Sequence, residues 1–208
     1  MKLAKTMDIK RDDYYIRDLK ASDRYKLRKW TDFEDPIFYG YNFSDMTEGE
    51  LWYWYNSKQA FYRSKYFSIL DYKENLLGYL GIKEYNYLLK TGKLGIVLDA
   101  KVTSRGLGYA VMQDFLDYYF NDLNMRRLDL EVNAWNTRAR RLYDKLGFRQ
   151  IGQEWQRFEN QQINLDQSKY DDLAHFFEER DRGLYNIIYK MRLTRKEYEE
   201  GLCARRTR

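Results

Sequence analysis

Between residues 93 and 123 the chain changes its periodicity abruptly, across a turn that holds two glycines. Residues 93–99 (KLGIVLD) are almost continuously apolar, as expected for a central strand covered on both faces. Beyond them Val111, Met112, Phe115, Leu116, Tyr119 and Leu123 recur at helical spacing, which predicts a helix starting right after residues 105–110 (RGLGYA). A strand that feeds a glycine turn and then a helix has a definite chemistry. The first amides of the helix lack partners and point outward at the positive end of its dipole, and Gly106 and Gly108 let the backbone approach a ligand closely. A pyrophosphate suits such a junction, although an ordinary strand-to-helix turn reads the same way from this stretch alone. The junction lacks the Lys-Ser/Thr ending of a P-loop and the third glycine of a dinucleotide fold.

The other segments fall into place around it. Residues 14–19 read as a first strand, after which Ser22 is placed to cap a helix carrying Tyr25, Leu27 and Trp30. Residues 32–45 form a loop. Thr47 with Glu50 three residues on is a capping-box signature, and the apolar side of the helix that follows is Leu51, Trp54, Tyr55 and Phe61. Residues 66–72 and 76–84 are two strands joined by a hairpin at KEN. Over residues 127–133 Leu128, Leu130 and Val132 alternate with Asp129, Glu131 and Asn133, a strand with one apolar and one polar face. Asn136 then caps the helix TRARRLYDKL, which Gly147 ends in a left-handed cap. Strands follow over 148–158 and 185–193, separated by a polar segment whose 170–180 part looks helical. The order predicts an α/β (α+β) fold with a mixed, mostly antiparallel central sheet flanked by helices and a helical insertion before the last strand. One domain over residues 1–208 accommodates it, with an N-terminal arm (1–13), the insertion (160–183) and a C-terminal tail (195–208).

Composition removes several function classes. No apolar stretch approaches the roughly 20 residues that span a bilayer. The first 13 residues are charged where a signal peptide needs an apolar core, so a cytosolic protein without membrane contact is expected. Cys203 and His175 are each the sole residue of their type, which leaves a metal site, a disulfide framework or a Ser/His/Asp triad poorly supplied. Thirty-seven basic residues against 32 acidic ones is a mild excess, and nucleic-acid binding is not favoured. The aromatic fraction of 18% fits either an aromatic-rich core or a cleft wall built from Tyr and Trp.

Arg105, Gly108 and Ala110 spell R-x-x-G-x-A, and residues 128–148 (LDLEVNAWNTRARRLYDKLGF) end in L-Y-x-K-L-G-F. With these two blocks in this order the chain resembles the GNAT N-acetyltransferase superfamily, leaning toward the branch of the ribosomal-protein N-terminal acetyltransferases and spermidine acetyltransferase. The resemblance runs over residues 14–158, with 185–193 as the closing strand. It implies acetyl-CoA as cofactor, the backbone of Ile96, Val97 and Leu98 pairing with the pantetheine arm, and Ser104, Arg105, Gly106, Leu107, Gly108 and Tyr109 holding the pyrophosphate. Tyr109 stands where the family more usually has a small or basic residue. Asn136 is implied to bond the CoA arm as well as to cap its helix.

Attack on a thioester needs a neutral amine, whereas α-amino groups titrate near pH 8 and lysine or polyamine amines at about 10. A base must therefore take a proton. Glu131 projects from the polar face of its strand and matches the base that the resemblance implies; the other reading is a solvated carboxylate facing Arg126 or Arg127. Tyr143 falls where the family carries its general acid, and is otherwise a core tyrosine. The implied reaction moves an acetyl group to a primary amine of a protein N-terminus, a polyamine or another small amine, by direct attack in a ternary complex. The alternative is a non-catalytic CoA-binding regulatory or interaction module. Asp171, Asp172, Glu178, Glu179 and Asp181 make the insertion either a lid that attracts cationic acceptors, or a solvated helix or contact of a homodimer.

Overall fold

The computed structural model describes residues 6–60 and 63–206, so Phe61 and the ends of the N-terminal arm and C-terminal tail lie outside the described residues. The chain divides into two compact units, Met1–Asp32 with Tyr41–Leu128 and Phe33–Gly40 with Asp129–Arg208.

In the first unit β1 (Ile9–Lys10), β2 (Tyr15–Asp18), β3 (Lys65–Leu70), β4 (Leu76–Asn86) and β5 (Thr91–Leu98) follow one another in space, each antiparallel to the next. The expected hairpin between β3 and β4 is tied by Asp71, whose carboxylate accepts the N–H groups of Lys73 (2.9 Å) and Asn75 (2.8 Å). Helix α1 (Glu48–Gln59) starts with the predicted reciprocal cap: Glu50 N–H donates to Thr47 Oγ1 (3.3 Å), and Thr47 N–H donates to Glu50 Oε2 (2.8 Å). Its Leu51 and Trp54 are buried with Leu19, Leu27, Trp30, Leu70, Leu76 and Tyr79, and Tyr55 packs at the margin.

Four expectations for this unit need correction. Ser22 caps nothing, because the 3₁₀ segment Ala21–Lys29 begins one residue before it; Asp23 instead accepts the N–H of Lys20 (2.9 Å). Trp30 lies just past the end of that segment, anchored by its indole N–H donating to the carbonyl of Leu76 (2.6 Å). The helix after the glycine turn, α2 (Leu107–Asp117), starts inside RGLGYA, since Gly106 at φ 85° reverses the chain and its carbonyl accepts from Tyr109 (3.0 Å) and Ala110 (3.1 Å). Strand β5 is covered on both faces only in part: Leu94 is buried, whereas Ile96, Val97 and Leu98 are half-buried.

The second unit takes most of β6 (Arg127–Asn133), then α3 (Thr137–Leu146), β7 (Arg149–Arg157), β8 (Phe177–Arg180), β9 (Gly183–Thr194) and α4 (Arg195–Arg206). Strand β9 runs between β6 and β7, antiparallel to β7, and its first residues also pair with β8. The alternation in β6 holds residue by residue, with Leu128, Leu130 and Val132 buried. Asn136 Oδ1 accepts from Ala139 N–H (3.0 Å), and Gly147 at φ 95° closes α3 as expected. The insertion is less helical than its pattern predicts. A 3₁₀ segment, Ser168–Phe176, gives way to β8 because the Phe177 ring docks on Phe158 (5.2 Å between centroids) and Trp135 (6.5 Å). The tail also departs from expectation: Thr194 and Glu197 form a second reciprocal cap, and α4 follows.

Candidate active site

At the end of β5 the chain is pinned by Asp99. Its buried carboxylate accepts the N–H groups of Thr31 and Lys101, each at 3.0 Å, so this residue anchors the loop as well as ending the strand. A short turn, Ala100–Val102, is closed by the Thr103 hydroxyl donating to the carbonyl of Ala100 (2.8 Å). Ser104 at φ 62° and Gly106 at φ 85° then bracket Arg105 with two left-handed residues. All three are exposed, and a Cβ built on Gly106 would meet no heavy atom within 4 Å. Next come the first amides of α2, an 11-residue helix, where Leu107 and Gly108 have no carbonyl one turn earlier to bond. Between residues 104 and 110 the charged and polar donors are the Arg105 guanidinium, hydroxyls and backbone N–H groups, with no carboxylate. This donor set, on an open and exposed loop, fits the phosphates of CoA.

The remaining sequence-assigned residues lie in the second unit. Glu131 is on the half-exposed face of β6, between Asp129 and Asn133. Asp129 is held by Arg192 through two bonds (2.8 and 3.2 Å). Lys190 is paired to Glu154 (2.5 Å), which raises the ammonium's pKa, and the charge of Glu131 adds to that rise. Tyr143 is buried on α3, its ring edge-on to Phe148 at 5.7 Å. Asn136 is engaged as the cap of that helix, and its own N–H donates to the carbonyl of Asn133 (2.9 Å). Residues 104–110 thus form one continuous feature of the first unit, while Glu131, Asn136 and Tyr143 belong to β6, α3 and the bend between them.

Two features of these units escaped the sequence reading. Trp135, one residue before the Asn136 cap, donates its indole N–H to Asn186 Oδ1 (3.1 Å) and is packed against Phe38, Phe158 and Phe177. Lys58 projects its ammonium among aromatic rings of α1, β3 and β4. Only its spacing of four residues from Trp54 could have signalled this. Among the described residues no group of three or more His, Cys, Asp or Glu could hold a metal ion, and no helix is long and apolar enough to cross a membrane.

A family model described as "Acetyltransferase (GNAT) family" matches residues 10–148. The chain belongs to the GNAT acetyltransferase family. Its architecture is the α+β GNAT fold, a mixed and mostly antiparallel sheet with flanking helices, and the GNAT acetyl donor is acetyl-CoA. A curated GNAT relative, spermidine N(1)-acetyltransferase of Vibrio cholerae serotype O1, is 29% identical over 86 residues, which is 41% of this chain; the match spans about half (50%) of that relative's length. Among solved structures, spermidine N-acetyltransferase from V. cholerae in complex with CoA and spermine has a TM-score of 0.66 at 21% identity, over 90% of this chain and 99% of that one. A chimera of the same enzyme, SpeG, with hSSAT gives 0.65 at 21% identity, over 90% and 98%. At these identities the structural likeness speaks for the GNAT fold.

Proposed function

We propose that this chain acetylates a primary amine of a polyamine-class acceptor, by direct attack on acetyl-CoA in a ternary complex. The observation that carries the reading is the exit from β5, where Ser104 and Gly106 turn an exposed, carboxylate-free loop into the N-terminus of α2. Similarity to spermidine acetyltransferases in sequence and in fold narrows the acceptor from any primary amine to a polyamine. The exposed carboxylates of Asp171, Asp172, Glu179 and Asp181 are suited to drawing in a polycation, while Glu178 is already paired with Arg180.

When bound, acetyl-CoA supplies an acyl group activated as a thioester. The backbone of Ile96, Val97 and Leu98 holds its pantetheine arm, the 104–109 loop its pyrophosphate, and Asn136 adds a bond to the arm. Glu131 removes a proton from the acceptor's ammonium, directly or through a water. Asp129, two residues earlier on the same face of β6, is held by Arg192. Tyr143, fixed by burial on α3, gives its hydroxyl proton to the departing thiolate.

The test is release of free CoA thiol with a panel of spermidine, spermine, monoamines and peptides, run beside Tyr143→Phe. Polyamines should give the highest kcat/KM. In the variant, kcat should fall on the order of 10²-fold while CoA affinity and Tm hold, because the ring and its packing are kept. Acetyl-CoA binding with no acetylation across the panel would defeat the enzyme reading in favour of a CoA-binding module. A fully active Tyr143→Phe would reduce Tyr143 to a core residue.

A further inference from the structure

Trp54 and Lys58 stand four residues apart on α1 and so share one of its faces. The Lys58 Nζ lies 5.6 Å from the ring centroid of Trp54, 5.6 Å from that of Tyr66 on β3 and 5.9 Å from that of Tyr79 on β4. Such rings stabilise an ammonium by about 0.5–2 kcal/mol. Opposing this, no carboxylate of the described residues pairs with Lys58, and burial, helped by the charge of Lys83, lowers its pKa and enlarges the neutral fraction.

A second observation points the same way. The indole N–H of Trp54 is buried and has no acceptor among the described residues, and the residue is only 6% exposed. An ammonium carries donors alone and leaves that N–H unsatisfied, whereas an amide carbonyl at the same place would accept from it. The cage also abuts the strand assigned to the cofactor. Tyr79 is the cross-strand partner of Val97, which puts the two side chains on one face about 4.5–5.5 Å apart at Cβ. Val97 packs on the cluster that contains Trp54 and Tyr79.

We propose that Lys58 is a self-acetylation site, modified by the acetyl-CoA of its own chain. This rests on the acetyl-CoA reading above. The neutral Nζ forms a C–N bond to the acetyl carbonyl carbon as the C–S bond breaks; CoA departs as thiolate, and the proton that the nitrogen sheds passes to it through solvent. The product replaces a desolvated cation by a neutral amide whose oxygen accepts from Trp54.

Incubating the full chain with acetyl-CoA and no acceptor, followed by intact-mass measurement and peptide mapping, reads the step directly. One acetyl group should appear at Lys58, at a rate independent of protein concentration and rising with pH, and none should appear there in Lys58→Arg. A readout free of cofactor comes from Lys58→Gln, which offers a carbonyl without a charge: its Tm should exceed that of the wild type, and the gain should shrink in a Trp54→Phe background. Turnover of added amines with Lys58 unmodified overturns this inference and leaves the polyamine reading standing. Failure of acetyl-CoA either to raise Tm or to release thiol overturns both. Acetyl groups spread evenly over exposed lysines, or a Lys58→Gln protein that melts below the wild type, also overturn it.

Discussion

Asp23 has no exposed surface, yet its carboxylate accepts two bonds from Arg17 (2.7 and 2.8 Å), one from the Lys20 N–H and one from the Ser68 hydroxyl (2.7 Å). Burial alone would raise its pKa; the Arg17 bonds, then those from Lys20 and Ser68, outweigh burial and hold it below the usual value. A carboxyl depressed in the folded state stabilises the fold above its unfolded pKa of about 3.9, and that contribution drains away as pH falls through the folded value. Asp23→Ala should therefore cost about 3–5 kcal/mol in urea unfolding at neutral pH, because it strands a half-buried guanidinium, and the gap to the wild type should narrow in acid. Glu131 is a different case, half-exposed on β6 and proposed above to take a proton rather than to pack. Glu131→Gln should lower turnover at neutral pH and regain part of it at high pH, where acceptor amine is already neutral, with Tm little changed. A pH–rate profile that overlays the wild type would assign deprotonation to another group.

Among the elements, α2 depends on the residue that precedes it. Gly106 at φ 85° is a conformation that costs a side-chain-bearing residue roughly 1–3 kcal/mol, so Gly106→Val should weaken the apo protein and the cofactor loop together. Gly108 lies within the helix proper, where Val is tolerated by the backbone but would crowd the amides proposed to hold phosphate. Gly108→Val should abolish the thermal shift given by acetyl-CoA while the apo Tm stays near that of the wild type. A preserved shift in Gly108→Val would remove the pyrophosphate from this loop. Two helix caps, at Thr47 and Asn136, were legible in the sequence, whereas Ser22 was not one. T-x-x-E opens α1 as read, and the same spelling at Thr194 to Glu197 opens α4, where only a tail was expected. Strand β8 was illegible for a physical reason. It has four residues, of which only Phe177 is half-buried, and it becomes a strand by pairing with β9 rather than by any alternation of its own.

At the scale of the molecule, binding of acetyl-CoA to the folded state alone should stabilise it by about 2.7 kcal/mol at a concentration 100 times Kd, measurable as a rise in Tm. The sequence order of strands and helices could be read because alternation in β6 and helical spacing in α2 and α3 agree with where each element is buried. The glycine turn before α2 was legible because its residues are local in sequence. The Lys58 cage was not, since its rings come from α1, β3 and β4 and meet only after the first unit has folded. Strand β7 ends the strand order, and its register slips between Gln150 and Gly152, leaving Ile151 as an extra residue. The same strand carries Arg149, Glu154 and Arg157. A neighbouring molecule trying to extend the ribbon there meets a kink and a row of charges for which it has no matching template. Crowded nascent chains should for that reason stay dispersed rather than stack edge to edge into fibrils.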